Sequence, residues 1–212
     1  MRALRTLRSG VALRYGPSGM RAIVPTFALI AAMTLGRDAH ADPPYVGVSA
    51  GYEVLAIAPK NWANGLVGTV RIATHDERLS LTALVDYRVG IFIDSLPNGL
   101  RVDIGAFRLM GAMRIVKRGP LVVEGALGAG FDLMRIETRP TVGPVSTPTV
   151  PMLRASLSER FRVWRSLDLV VSAVVEIDPT GMNYVTEVDG LPVTVLSPWT
   201  VRPGFMLELA AP

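Results

Sequence analysis

Cysteine is absent from this 212-residue chain, histidine occurs twice, and the only lysines are Lys60 and Lys117. Each shortage removes a class of chemistry. Without cysteine there is no disulfide framework, no thiolate metal site, no cysteine nucleophile and no thiol to carry a lipid after export. Of the two histidines, His40 falls in an N-terminal leader and His75 in a short polar turn. A Ser-His-Asp arrangement is therefore hard to assemble, and a transition-metal site has too few donors. No catalytic residue, cofactor or metal is expected, and the protein is not expected to be an enzyme. Beyond the leader no run of 18 apolar residues occurs, which argues against a helical membrane protein.

The leader has the order of a secretory signal: Arg2, Arg5, Arg8, Arg14 and Arg21, then the apolar run AIVPTFALIAAMTLG at 22–36, then AHA at 39–41 before Asp42. Met20-Arg21 would begin a compact signal by itself, so translation is expected to start there. The apolar run is short for a membrane span and contains Pro25. The expected division is a signal peptide at 1–41 and one folded domain at 42–212. The leader holds six of the 22 Lys and Arg residues and one of the 18 Asp and Glu residues, leaving 16 basic and 17 acidic groups, net −1. The basic balance thus belongs mostly to the leader, and no basic stripe with interleaved aromatics supports nucleic-acid binding.

From Asp42 onward the hydrophobic period is two, which means strands. In LDLVVSAVVEID, at 167–178, Leu167, Leu169, Val171, Ala173, Val175 and Ile177 share one face, while every polar group lies on the other. Eight such segments are expected, at 45–58, 66–74, 79–89, 102–117, 121–137, 151–164, 167–178 and 199–210. Within 102–117 the apolar residues change parity, with Val102 and Ile104 opposed to Phe107 and Leu109, so a β-bulge is expected near Gly105. Glu159 falls on the apolar face of its strand, and Pro203 lies inside the last one.

The connections alternate in length. HDER at 75–78, RGP at 118–120 and RS at 165–166 are short. Those at 59–65, 90–101, 138–150 and 179–198 are long, and the last carries an Asp189-Gly190 hairpin signal for a ribbon beyond the sheet. Short turns on one rim and long loops on the other match barrels of the outer membrane.

With its signal, even strand number, two-residue repeat and sorted loops, the chain resembles the small eight-stranded outer-membrane β-barrel proteins of Gram-negative bacteria. The resemblance implies an all-β, eight-stranded, antiparallel up-and-down transmembrane barrel in the cell outer membrane. It also implies outer-membrane lipid and the outer-membrane assembly machinery as partners, with any external ligand met by the loops.

Placing the polar parity inside such a barrel gathers seven acids, Glu53, Asp86, Glu124, Asp132, Asp168, Glu176 and Glu208. It also gathers seven arginines, Arg71, Arg88, Arg108, Arg114, Arg154, Arg160 and Arg202. An eight-stranded barrel is just wide enough for side chains to fill. Buried charges avoid a penalty of several kcal/mol only by pairing, and the forked guanidinium pairs with carboxylates better than lysine does. The expected lumen is therefore a salt-bridge network that crosslinks the barrel, with no channel for large solutes. The alternative is a soluble periplasmic lipocalin-like barrel with the apolar face inward around a small apolar ligand. It is disfavoured by the scarcity of lysine and by strands of 12 residues or more.

Two further motifs have bland readings. Glu124 and Asp132, like Asp168 and Glu176, are eight residues apart on one strand, roughly 27 Å. Such spacing suits salt bridges and not paired acid-base work; a barrel enzyme would have to act through loop carboxylates instead. GALGAG at 125–130 lacks the Lys-Ser/Thr of a phosphate loop and is read as small residues that allow curvature and make room for arginine.

Overall fold

The computed structural model describes residues 12–13, 44–93, 99–139, 147–181, 183–188 and 191–211. The segment read as a signal lies outside them apart from Ala12 and Leu13, which pair with Val185 and Tyr184. The expected start at Met20 and the Asp189-Gly190 turn also lie outside the described residues.

Because residues alternate in character along each segment, each adopts the extended backbone that sends neighbours to opposite faces. The strands are β1 (Tyr45–Ala58), β2 (Asn61–Ala73), β3 (Leu79–Ile93), β4 (Gly99–Arg118) and β5 (Leu121–Arg139). They continue as β6 (Thr149–Trp164), β7 (Leu167–Ile177), β8 (Tyr184–Val188), β9 (Leu191–Leu196) and β10 (Val201–Ala211). Eight of them, β1 to β7 and β10, form a closed antiparallel barrel, with β10 hydrogen-bonded to both β7 and β1. Closure leaves no sheet edge unpaired, the only state in which strands can cross lipid. The pair β8–β9 is an antiparallel ribbon inserted between β7 and β10.

The apolar parity points outward. Leu66 is 70% exposed and Leu127 67%, and Val70, Val85, Leu157, Phe205 and Leu209 are exposed with them. In β7, Asp168, Val170, Ser172, Val174 and Glu176 are buried, whereas Leu169, Val171, Val175 and Ile177 are not.

Two expectations are corrected, and the place of Pro203 is explained. The first long loop, 59–65, is a two-residue turn at Pro59-Lys60, with Lys60 at φ +64° and Trp62 already opposite Ala56. After Trp62 the run Ala63, Asn64, Gly65 keeps the strand alternation with small or polar residues, which weakens its hydrophobic signal. No bulge occurs in β4 at Gly105, which pairs in register with Tyr87 and Leu133; the register shift of this region lies in β3, between Arg88 and Ile91, opposite Ile104 and Val102. Val102 and Ile104 keep the inward parity of Ala106 and Arg108 and are buried. Their apolar character reflects the lumen at that end, where Ile57, Ala63, Val102, Ile104, Met134, Ile136, Val150 and Met152 form one cluster. Pro203, finally, faces Val175 alone, because the ladder from β10 to β1 begins at Gly204.

Candidate functional site

The interior is layered along the barrel axis. At the long-loop end lies the apolar cluster. Below it, β1, β3, β4, β5, β6, β7 and β10 bring Glu53, Asp86, Arg88, Arg108, Asp132, Arg154, Glu176 and Arg202 together, all buried. Glu176 is the hub. Its Oε1 accepts hydrogen bonds from Arg88 Nη2 at 2.9 Å, Arg108 Nη2 at 2.9 Å and Arg154 Nη1 at 3.1 Å. Arg88 also donates to Asp86 at 2.9 Å, Arg108 to Asp132 at 2.5 Å, and Arg154 to both oxygens of Glu53, at 3.1 and 2.5 Å. Oxygens of Glu53, Asp86 and Glu176 lie within 4.8 Å of one another, a spacing that would also suit a cation. Arg88 and Arg154 already fill that space.

Two glycines make the arginines fit. Gly130 lies directly opposite Arg108, and Gly128 lies between Met110 and Arg154. A Cβ on Gly130 would run into the Phe107 carbonyl. That oxygen accepts from Arg108 Nη1 at 3.0 Å, and the Phe131 carbonyl accepts from the same nitrogen at 2.8 Å.

A thin apolar ring of Val67, Leu84, Val174 and Met206 separates this cluster from a second polar layer. The second layer lines a cavity of about 90 Å³ at the short-turn end. There Arg71 donates to Glu124 at 2.5 Å, Arg160 donates to the other Glu124 oxygen at 3.2 Å, and Arg162 donates to Asp168 at 2.5 Å. Glu208 accepts from the Ser49 hydroxyl at 2.5 Å, and Ser158 and Ser172 are hydrogen-bonded at 2.8 Å.

Of the fourteen residues read as one network, the structure therefore makes two groups. Glu53, Asp86, Arg88, Arg108, Asp132, Arg154, Glu176 and Arg202 meet in the centre, whereas Arg71, Glu124, Arg160, Asp168 and Glu208 line the cavity. Arg114 makes no ion pair with either group among the described residues. Two members were missed. Asp178 accepts from Arg202 Nη2 at 2.8 Å and from the Thr180 amide at 2.9 Å, tying the foot of the ribbon to the core. It continues the even parity of β7, a signal already present in the sequence. Glu77 approaches Arg71 and Arg160 at 4.0 and 3.9 Å from a turn where its φ is +53°. No periodicity marks such a residue.

Among the described residues the serines of the lumen have no imidazole beside them, since His75 lies in an exposed turn. Glu124 and Asp132 fall in different layers, as do Asp168 and Glu176.

A closed eight-stranded antiparallel sheet, greasy outside and ion-paired within, has the architecture of the small eight-stranded outer-membrane β-barrels. No family model and no curated protein matches the chain. Solved structures do. A major outer membrane protein from Thermus thermophilus superposes with a TM-score of 0.58 at 11% identity, over 79% of this chain and 99% of that one. Neisserial surface protein A gives 0.48 at 14% identity, over 81% and 97%. Ail, the attachment invasion locus protein of Yersinia pestis, gives 0.47 at 13% identity, over 80% and 98%. The likeness to the Thermus protein is one of fold.

Proposed function

We propose that the chain is an integral outer-membrane β-barrel, exported by its signal peptide, with a structural or surface-binding role. Its interior is a scaffold and not a path for large solutes or a catalytic centre. The observation that carries this reading is the one-sided outer face. Exposed Val, Leu, Ile, Phe and Trp side chains cover a closed sheet whose backbone needs no water. A soluble barrel of this size would place that apolar face inward, where this chain places buried arginines and carboxylates.

The apolar cluster and the ionic layer close the lumen in series. The expected partners are outer-membrane lipid along the strands and the assembly machinery during insertion. On the long-loop rim the β8–β9 ribbon is where an external ligand would be met, because loops and ribbons on a rigid scaffold carry binding.

The test is membrane fractionation with a urea wash, followed by gel mobility of the detergent-extracted protein with and without heating. The expected result is retention in the washed membrane and a heat-modifiable band. Recovery in the soluble fraction would overturn insertion.

A further inference from the structure

The short-turn rim is not level. The ladder between β3 and β4 ends at Leu79 opposite Met113, with one further bond from the Arg114 amide to the Arg78 carbonyl at 2.9 Å. Strand β4 nevertheless runs on to Arg118, paired only with β5. Beside it β6 runs on to Trp164, opposite Leu167. The Arg162 amide donates to the Pro120 carbonyl at 3.3 Å and joins the two hairpin tips into one lip.

Each tip carries a register shift, between Arg114 and Val116 and between Arg162 and Trp164. The shifts reset the parity. Val116 then faces Val123, Arg118 faces Leu121, and Trp164 faces Leu167, so these side chains join Phe161 on the outer face. The lip's outer face is apolar at its tip, with Ile115, Val116, Phe161, Val163 and Trp164 exposed and Trp164 at 72%, while the exposed Glu159 lies on the same face opposite Val123 and sets one negative charge against the cations beyond it.

The charge on this lip is unbalanced. Lys117, Arg118 and Arg165 are exposed and form no ion pair among the described residues. Elsewhere on the rim Arg78 is paired with Asp76 at 3.3 Å, and on the lip itself Arg162 is paired with Asp168. Arg118 lies on the outer parity opposite Leu121 and Arg165 in the turn of the neighbouring tip, so both stand at the end of the apolar face, while Lys117, level with the inward Val122, stands on the rim behind them. Cations adjoining aliphatic and indole side chains match the boundary between acyl chains and headgroups.

We propose that this lip binds the phosphate headgroups of anionic phospholipids in the leaflet on the short-turn side. The acyl chains lie on Ile115, Val116, Phe161, Val163 and Trp164, and the phosphate is held by Arg118 and Arg165, the guanidinium forks suiting a bidentate phosphate contact, with Lys117 adding positive charge from the rim behind them. The apolar residues on the same face favour a lipid over a free anion. The proposal rests on the outer face lying in a bilayer.

The test places the exported full-length protein in phosphatidylcholine nanodiscs with and without phosphatidylglycerol, then transfers it to detergent and measures retained lipid by native mass spectrometry. The wild type is expected to retain phosphatidylglycerol over phosphatidylcholine. Arg118→Gln and Arg165→Gln should each weaken that preference about five-fold at low ionic strength, and the triple variant with Lys117→Gln should abolish it. The paired variant Lys60→Gln/Arg78→Gln, away from the lip, should retain the wild-type preference. Unchanged retention in the lip variants, an equal loss in the Lys60/Arg78 control, or displacement of the lipid by inorganic phosphate alone would each overturn the proposal. Heat-modifiable mobility of every sample separates the two readings. A wild type that inserts without lipid preference overturns the lip alone, whereas one that never inserts overturns the barrel reading with it.

Discussion

Three guanidiniums share one oxygen of Glu176, and that oxygen belongs to a side chain with no exposure to solvent. Replacing it with glutamine puts one neutral acceptor at the hub and leaves Arg88, Arg108 and Arg154 only their outer carboxylates, Asp86, Asp132 and Glu53. Breaking a buried ion pair by removing one partner costs about 3–5 kcal/mol, so Glu176→Gln should lower the unfolding free energy of the liposome-inserted protein by an amount of that order, read as a fall in its urea midpoint. An unchanged midpoint would show that the neighbouring carboxylates suffice. Gly130 offers the complementary test. A methyl group there meets the Phe107 carbonyl and crowds Arg108, and overpacking costs about 1–3 kcal/mol. Gly130→Ala is expected to shift the heating midpoint of the folded gel band downward, whereas Gly68→Ala, whose Cβ would meet nothing nearer than the Ser49 carbonyl at 3.9 Å, should leave it unchanged. At this scale the sequence shows which residues face inward, because parity alone decides it. It does not show who meets whom: Arg88 and Glu176 are 88 positions apart, and only closure of the sheet joins them.

Among the elements, the connection between β2 and β3 is held by its own hydrogen bonds. The Asp76 carboxylate accepts from the Thr74 hydroxyl at 2.7 Å and from the Arg78 amide at 3.1 Å. The Thr74 hydroxyl, then the Arg78 amide, hold its pKa below the ordinary carboxylate value. A group whose folded pKa is depressed stabilises the fold above its unfolded pKa, and that contribution is lost as pH falls through the folded value. Asp76→Asn should therefore unfold at lower urea than wild type near neutral pH, and the two should converge as the pH drops below the ordinary carboxylate range. A constant gap would place the effect elsewhere.

Strand positions were legible wherever large apolar residues alternate, as in β3 and β7. They were lost where the lumen itself turns apolar, as at Val102 and Ile104, or where alternation is carried by small residues, as at Ala63 and Gly65. The division of the charges into two groups was hidden for a related reason. Val67, Leu84, Val174 and Met206 sit on the polar parity and read as noise until the register stacks them into a ring.

For the whole molecule the lumen predicts impermeability. Liposomes carrying the protein should show no osmotic swelling in small sugars, because the ionic layer and the apolar layer obstruct the axis in turn. Swelling at a porin-like rate would mean that the interior opens in the bilayer.

The two ends of that axis differ, since the cavity beside Ser49 and Arg160 opens toward the short turns while the other end is stopped by Ile57, Ile104 and Met152. The barrel is thus a cup with its mouth at the short-turn rim. Water and small polar reagents reach the serines that line it from that rim, and among the described residues the opposite rim is closed by a greasy lid.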